Sequence, residues 1–221
     1  MDILEVMKRR HSVRQYTDRA IEGEVLDALV CEIDACNSEA GLHFQLVTNE
    51  PRAFSGKMAE YGRFCGVKNY LALVGKKGRE LSEQCGYYGE RIVMRAHELG
   101  LHTCWVALTY DKIPEAFSVL DGEKLTVVIS VGYGKNRGLS RKSKKREEVS
   151  NACEESPEWF LRGVDAALLA PTAMNQQKFR FTQNGRRVKA RAGVGFYTKM
   201  DLGIAKYHFE LGAGKENFEW E

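Results

Sequence analysis

No two of the six cysteines, Cys31, Cys36, Cys65, Cys85, Cys104 and Cys153, are separated by only two residues, so the paired spacing that holds zinc is missing. No apolar segment follows the initiating Met1 as a secretory signal would, and a reduced, cytoplasmic protein with free thiols is expected. No apolar run approaches the roughly 20 residues that span a bilayer, which excludes a membrane-inserted helix. Excess charge is lacking too: the net charge is +3, too small for a dedicated nucleic-acid binder. The five histidines form no recognisable constellation with serine or cysteine, so nucleophilic catalysis has no candidate triad.

What the chain does have is material for a core, 43% of 221 residues being hydrophobic. The clearest strands are Tyr70-Leu71-Ala72-Leu73-Val74, between Asn69 and Gly75, and Leu125 to Val131. Helices are expected from Ile3 to Arg9, from Ile21 onward, and over Leu81 to Leu99, the last expected to be the longest. Residues 51–66 mix helix with loop, and Ile113 to Phe117 is a short turn or helix. Gly138 to Glu148 is polar and basic, and reads as a solvated connector. Helices on both faces of one mixed sheet fit this order.

An element near the end has a fainter counterpart near the beginning. Phe160 to Leu169 is helical, Ala170 to Gln177 breaks, and Lys178 to Thr182 is a strand; likewise Leu29 to Ala35 ends a helix, Cys36 to Gly41 breaks it, and Leu42 to Val47 alternates. Each is followed by an amphipathic helix ending Glu-Leu-Gly, closed by Gly100 and by Gly212. Two pairs in the same order suggest an internal duplication.

Lys8-Arg9-Arg10-His11-Ser12-Val13-Arg14 gathers three guanidinium groups, a lysine and a hydroxyl where a helix gives way to a loop. A phosphate monoester is bound by charge-assisted donors and a hydroxyl, and Val13 and Tyr16 suggest that the segment packs rather than floats. His97 and His208, near helix ends, are read as cations beside the helix dipole, and Cys104 as a small core residue. Gly132-Tyr133-Gly134 lacks the third glycine and following helix of a dinucleotide loop.

Arg10-His11-Ser12-Val13-Arg14 resembles the N-terminal motif of the flavin-dependent nitroreductase family, and Ala170-Pro171-Thr172-Ala173-Met174-Asn175-Gln176-Gln177 resembles its turn containing Pro-Ser, Asn and Gln. Leu99 to Trp105 is similar to the family's turn entering a strand beside the flavin, and Leu125 to Gly134 with the basic residues and Glu147-Glu148-Val149 to its closing segment. The intact turn comes late in the chain, as in a branch of the family where one chain mimics the usual dimer.

The resemblance implies an α+β fold, an α/β/α sandwich with a mixed, mostly antiparallel sheet flanked by helices, duplicated internally within one domain. Residues 1–150 would act as one pseudo-subunit and 151–221 as a truncated second. It implies FMN as cofactor: Arg10, Ser12 and Arg14 on the phosphate with the His11 backbone close by, Arg141 as a helper, and Thr172, Ala173, Asn175 and Gln177 against the flavin. Val106 and Ala107 would offer backbone amides beside Trp105, with alanine standing at 107 where the family usually has glycine. The implied activity is alternating (ping-pong) hydride transfer from NAD(P)H to a small electron-poor acceptor such as a nitroaromatic or quinone, by a monomeric pseudo-dimer or a homodimer. No nucleic-acid or membrane partner is implied. A flavin- or ligand-binding module of the same fold without turnover stays open, as does nucleic-acid binding through the two basic runs.

Overall fold

The computed structural model describes residues 3–221; Met1, from which a signal segment was sought, lies outside them. The elements run α1 (Ile3–Arg9), α2 (Gly23–Ala40), β1 (His43–Val47), α3 (Lys57–Tyr61), β2 (Tyr70–Lys76), α4 (Leu81–Glu98), β3 (His102–Val106) and β4 (Glu123–Gly132). They continue with α5 (Arg146–Val149), α6 (Glu158–Leu168), β5 (Phe179–Asn184), β6 (Arg187–Ala192), α7 (Thr198–Ala213) and β7 (Glu219–Trp220). Two compact units result. A sheet unit comprises Arg10–Leu81 and Ile92–Leu139, and a helix unit comprises 3–9, Ser82–Arg91 and Ser140–Glu221. No helix among the described residues is long and apolar enough to cross a membrane.

The sheet unit holds a four-stranded antiparallel sheet in the order β1-β2-β4-β3. Strand alternation sorts its residues between two cores. Tyr70, Ala72 and Val74 join Phe54, Phe64, Val106 and Val128 in one cluster. Leu71, Leu46 and Ile129 meet Leu29 and Ile33 of α2 together with Ile92, Val93 and Ala96.

The helix unit holds a second sheet, β5-β6-β7, in which β5 and β6 are antiparallel and β6 and β7 parallel. Its core is aromatic: the Phe181 and Phe209 rings stack at 4.7 Å, and Phe160 meets Phe209 edge-on at 5.8 Å. A Cβ at Gly212 would lie 2.5 Å from Ala166 Cβ and 2.6 Å from Arg162 O, so that glycine lets α6 and α7 approach.

The architecture is α+β with mixed, mostly antiparallel pairing, but over two sheets rather than the single one expected. Pairing partners far apart in sequence decide this, and strand-forming patterns do not encode them. The early break is corrected as well. α2 runs through Cys36–Ala40 and ends at Gly41, whose φ of 62° is left-handed. The polar residues that suggested a break form a clasp, because the Asn37 side chain accepts from Phe44 N at 2.8 Å and donates to Phe44 O at 2.9 Å. α2 is consequently as long as α4, at 18 residues each. Gly212 lies inside α7, which closes at Gly214.

Both histidine assignments change. His208 sits inside α7, fully buried, with Nε2 2.9 Å from Glu90 Oε1 and Nδ1 donating to Ala166 O at 3.1 Å. His97 does lie in the last turn of α4, but burial and then the neighbouring His102 and Arg10 push its pKa down, which disfavours the cation.

Candidate functional site

Arg10, His11, Ser12, Arg14, Trp105, Val106 and Ala107 all fall in the sheet unit. The structure brings the two motifs together. Ser12 bridges Thr103 in parallel, and Val13 N donates to Thr103 O at 3.0 Å, which lays the Arg10–Arg14 segment along the start of β3. On its far side Cys65 N donates to Arg14 O and Tyr16 N to Cys65 O, each at 2.9 Å. Tyr16 anchors the end of the segment, its hydroxyl 2.7 Å from Val13 O and 2.9 Å from Ser130 Oγ. These bonds explain why Val13 and Tyr16 alternate with the charges: both are buried, while Arg14 and Gln15 are exposed.

The loop after β4 closes over the same segment. Gly138 has φ 73°, and a Cβ there would lie 2.7 Å from His11 Cβ and 2.9 Å from Ser12 O. Glycine is therefore required twice at this position, for its backbone angle and for its closeness.

The electrostatics are strongly positive. Arg10 is 2% exposed, an unusual burial for a guanidinium. Its charge adds to the burial that pushes His97 down, while Arg137 adds to the burial that pushes His102 down. Burial pushes the Cys104 thiol up, opposed by Arg14, a Ser12 hydrogen bond and Arg10. Arg10, Ser12 and Arg14 thus converge on the middle of β3, immediately before half-buried Trp105 and buried Val106. A buried cation, a second arginine and a hydroxyl at one strand suit a phosphate dianion. A separate cleft of about 390 Å³ in this unit, lined by residues including Thr17, Arg19, Asn49 and Lys68, contains none of the sequence-derived site residues.

Arg141, Thr172, Ala173, Asn175 and Gln177 fall in the helix unit. The turn after α6 is strained: Met174, Asn175 and Gln177 adopt φ of 50°, 53° and 44°, although none is glycine. Such residues persist only where their surroundings over-determine them, and they concentrate at functional sites. Gln177, 1% exposed, is consumed internally. Its Oε1 accepts from Lys144 N at 2.8 Å, and its Nε2 donates to Leu168 O at 3.0 Å and Ser143 Oγ at 3.1 Å. Thr172 Oγ1 accepts from Gln177 N at 3.1 Å. Arg141 Nη2 donates to Ala170 O at 2.6 Å. The basic segment is therefore fastened to the turn and is not the solvated connector its composition suggested; Arg146 pairs with Asp165 through two short bonds.

Asn175 differs. Its Nδ2 donates to Lys142 O at 2.8 Å, but its buried Oδ1 has no hydrogen-bond partner among the described residues. A buried acceptor without a donor is costly, and a ligand N–H would satisfy it.

Two residues that sequence reasoning missed complete the turn. Asp201, 3% exposed, accepts from Ala173 N through Oδ1 at 2.9 Å and from Gln176 Nε2 through Oδ2 at 2.7 Å. Gln176 Nε2 also donates to Phe196 O at 2.8 Å. The available signal was an acid set between the apolar Met200 and Leu202. The loop so held carries Val194 and Phe196, 92% and 80% exposed.

Comparison with known proteins shows the family and the fold. A family profile described as "Putative TM nitroreductase" matches residues 2–213. A "Putative NADH dehydrogenase/NAD(P)H nitroreductase" of Methanothermobacter thermautotrophicus is 30% identical over 153 residues, 60% of this chain and 78% of that protein. Among solved structures, a putative nitroreductase from Thermotoga maritima superposes with TM-score 0.69 at 23% identity, covering 98% of this chain and 85% of that one. A putative NADH dehydrogenase/NAD(P)H nitroreductase from Parabacteroides distasonis reaches TM-score 0.53 at 22% identity, over 67% of this chain and 96% of that one. The fold is that of the nitroreductases, and with the profile extending over nearly the whole chain, this protein belongs to the putative TM nitroreductase family.

Proposed function

We propose that the protein is an FMN-dependent oxidoreductase that takes a hydride from NAD(P)H and passes it to an electron-poor acceptor such as a nitroaromatic or a quinone, the two substrates binding in alternation. The observation that carries this reading is the Val13–Thr103 pairing, which sets the cationic Arg10–Arg14 segment against the strand leading to Trp105 and Ala107. When bound, the flavin supplies the two-electron chemistry.

The residues supply the rest. Arg10 and Arg14 neutralise the phosphate, and Ser12 donates its hydroxyl. Val106 and Ala107 bring backbone amides to the edge of the ring. Asn175 Oδ1 is an acceptor suited to the ring N–H of an oxidised isoalloxazine. Thr172 and Ala173 line the same turn, while Gln177 and Arg141 act by holding its backbone.

The internal duplication belongs to this proposal. A Cβ at Gly86 would lie 2.0 Å from Met200 O and 3.1 Å from Ile204 N, and one at Gly203 would lie 2.0 Å from Glu83 O and 2.8 Å from Tyr87 N. One sequence offset relates Gly86 to Gly203, Glu83 to Met200 and Tyr87 to Ile204. Reciprocity of this kind is what a two-fold axis between repeated halves would give, and it supports the duplication. The offset differs from the one that aligns Gly100 with Gly212.

Arg10→Ala is expected to weaken FMN binding by about 1.5–3 kcal/mol, roughly ten- to a hundredfold in Kd, as for a lost hydrogen bond to a charged group. Lys145→Ala, at an exposed position, should change the affinity little. Titration of flavin fluorescence with each variant measures both. Equal effects would show that only general surface charge is at work.

A further inference from the structure

We infer that Asp201 is the positioning residue of the FMN-binding turn: its two carboxylate oxygens clasp Ala173 and Gln176 and through them fix both the strained turn and the 193–197 loop. The inference rests on the FMN reading given above.

The geometry leaves the carboxylate a specific task. Ala173 N and Gln176 Nε2 are both donors, so both Asp201 oxygens must accept. Gln176 spends its two amide protons on Asp201 Oδ2 and on Phe196 O. It can tether the loop only while it is turned so that its NH2 faces both. A neutral amide at position 201 would present its own donor to Gln176. Gln176 would then have to flip, pointing its carbonyl at Phe196 O and releasing the loop. Protonation of Asp201 acts in the same direction, since it replaces an acceptor by a donor.

Burial raises the Asp201 pKa from 3.8 to about 6, opposed by the two hydrogen bonds. Of the charged groups on the elements packed around α7, Glu83 pairs with Lys206, Glu90 with His208, Asp165 with Arg146, and Lys178 with Val194 O. None of them, nor the basic residues of β5 and β6, is among the causes of the shift. The sign follows. Because the folded value lies above the unfolded one, this group's contribution to stability is largest when it is protonated and falls as pH rises from about 4 to about 6. The clasp strengthens over the same interval. Stability and FMN affinity therefore move in opposite directions with pH, which a purely structural acid would not produce.

The test compares wild type with Asp201→Asn from pH 5 to 7.5. The ratio of their FMN dissociation constants cancels titration of the ligand phosphate, which is common to both. A ratio of about tenfold at pH 7.5, shrinking to twofold or less at pH 5, is expected, with a variant melting temperature at pH 7.5 no lower than that of wild type. In the ligand-free proteins, hydrogen exchange at 173–177 and 193–197 should be faster in the variant at pH 7.5 and equal at pH 5. A pH-independent ratio, or unchanged exchange in both segments, overturns the inference. Wild type that takes up no FMN at any pH refutes the functional reading instead, and the exchange comparison still decides the clasp.

Discussion

Replacing Gly203 with valine should lower the stability of the protein by about 3 kcal/mol or more, the upper range for forcing atoms into a packed site. In an ordinary exposed helix, exchanging glycine for alanine gains up to about 1 kcal/mol in propensity. Here the first added carbon would sit 2.0 Å from the Glu83 carbonyl oxygen, a backbone atom that cannot rotate away. The Ser82–Arg91 part of α4 and the start of α7 would have to separate, and β-branching adds a propensity cost to the clash. For a chain of this size the loss corresponds to a fall of roughly 6–12 °C in melting temperature. Gly86→Ala should also destabilise, because its Cβ would meet Met200 O at the same 2.0 Å. Since either change pushes the same two segments apart, the double variant should lose less than the sum of the singles. Thermal melts of the three proteins decide the matter, and a Gly203→Val protein as stable as wild type would refute the close crossing.

His208→Leu should cost about 2–4 kcal/mol, because two buried hydrogen bonds are broken at about 1–3 kcal/mol each. Neither His208 nor Glu90 has any side-chain exposure. The imidazole joins three helices: Nδ1 donates to the Ala166 carbonyl of α6, and Nε2 lies 2.9 Å from Glu90 Oε1 of α4. Leucine fills similar volume but takes a donor from Ala166 O and one hydrogen bond from Glu90. Glu90→Gln keeps a hydrogen-bonding group opposite Nε2 and should cost less, about 1 kcal/mol. Urea titration of the two variants compares them directly. A loss below 1 kcal/mol for His208→Leu would show that the pair contributes little.

These two sites show where sequence reasoning stops. Leu125 to Val131 and Tyr70 to Val74 were readable as strands because each is a short apolar run ended by turn residues, and the backbone follows such local punctuation. The α6 helix, the turn after it and β5 were readable for the same reason. His208 was not, because its partner Glu90 lies 118 residues away, and only the meeting of two helices makes a polar side chain a core residue.

The same holds at the candidate site. Arg10, Ser12 and Arg14 stood out by chemistry and by resemblance, yet their placement depends on Thr103 and Cys65, which have no local signature. The Arg141–Arg146 run misled because composition reports average solvation, whereas Arg141 and Lys144 are bonded to Ala170 and Gln177. Asn37 misled in the opposite direction. A polar residue at a helix end satisfies backbone groups of the following strand as readily as it breaks the helix, and here it does the former.

The division of labour proposed for the site fixes a number. If the Arg10–Arg14 segment supplies the phosphate anchor and the Thr172–Gln177 turn supplies the only intact flavin-facing loop, a chain has material for one cofactor. The most direct measurement is the visible spectrum of the purified protein, with flavin released and counted against protein and the bound form then exposed to NADH or NADPH without oxygen. The account predicts a yellow protein carrying one FMN per chain that is bleached by a reduced nicotinamide. A protein that takes up no FMN, one that binds two per chain, or bound FMN that both nicotinamides leave oxidised would contradict it.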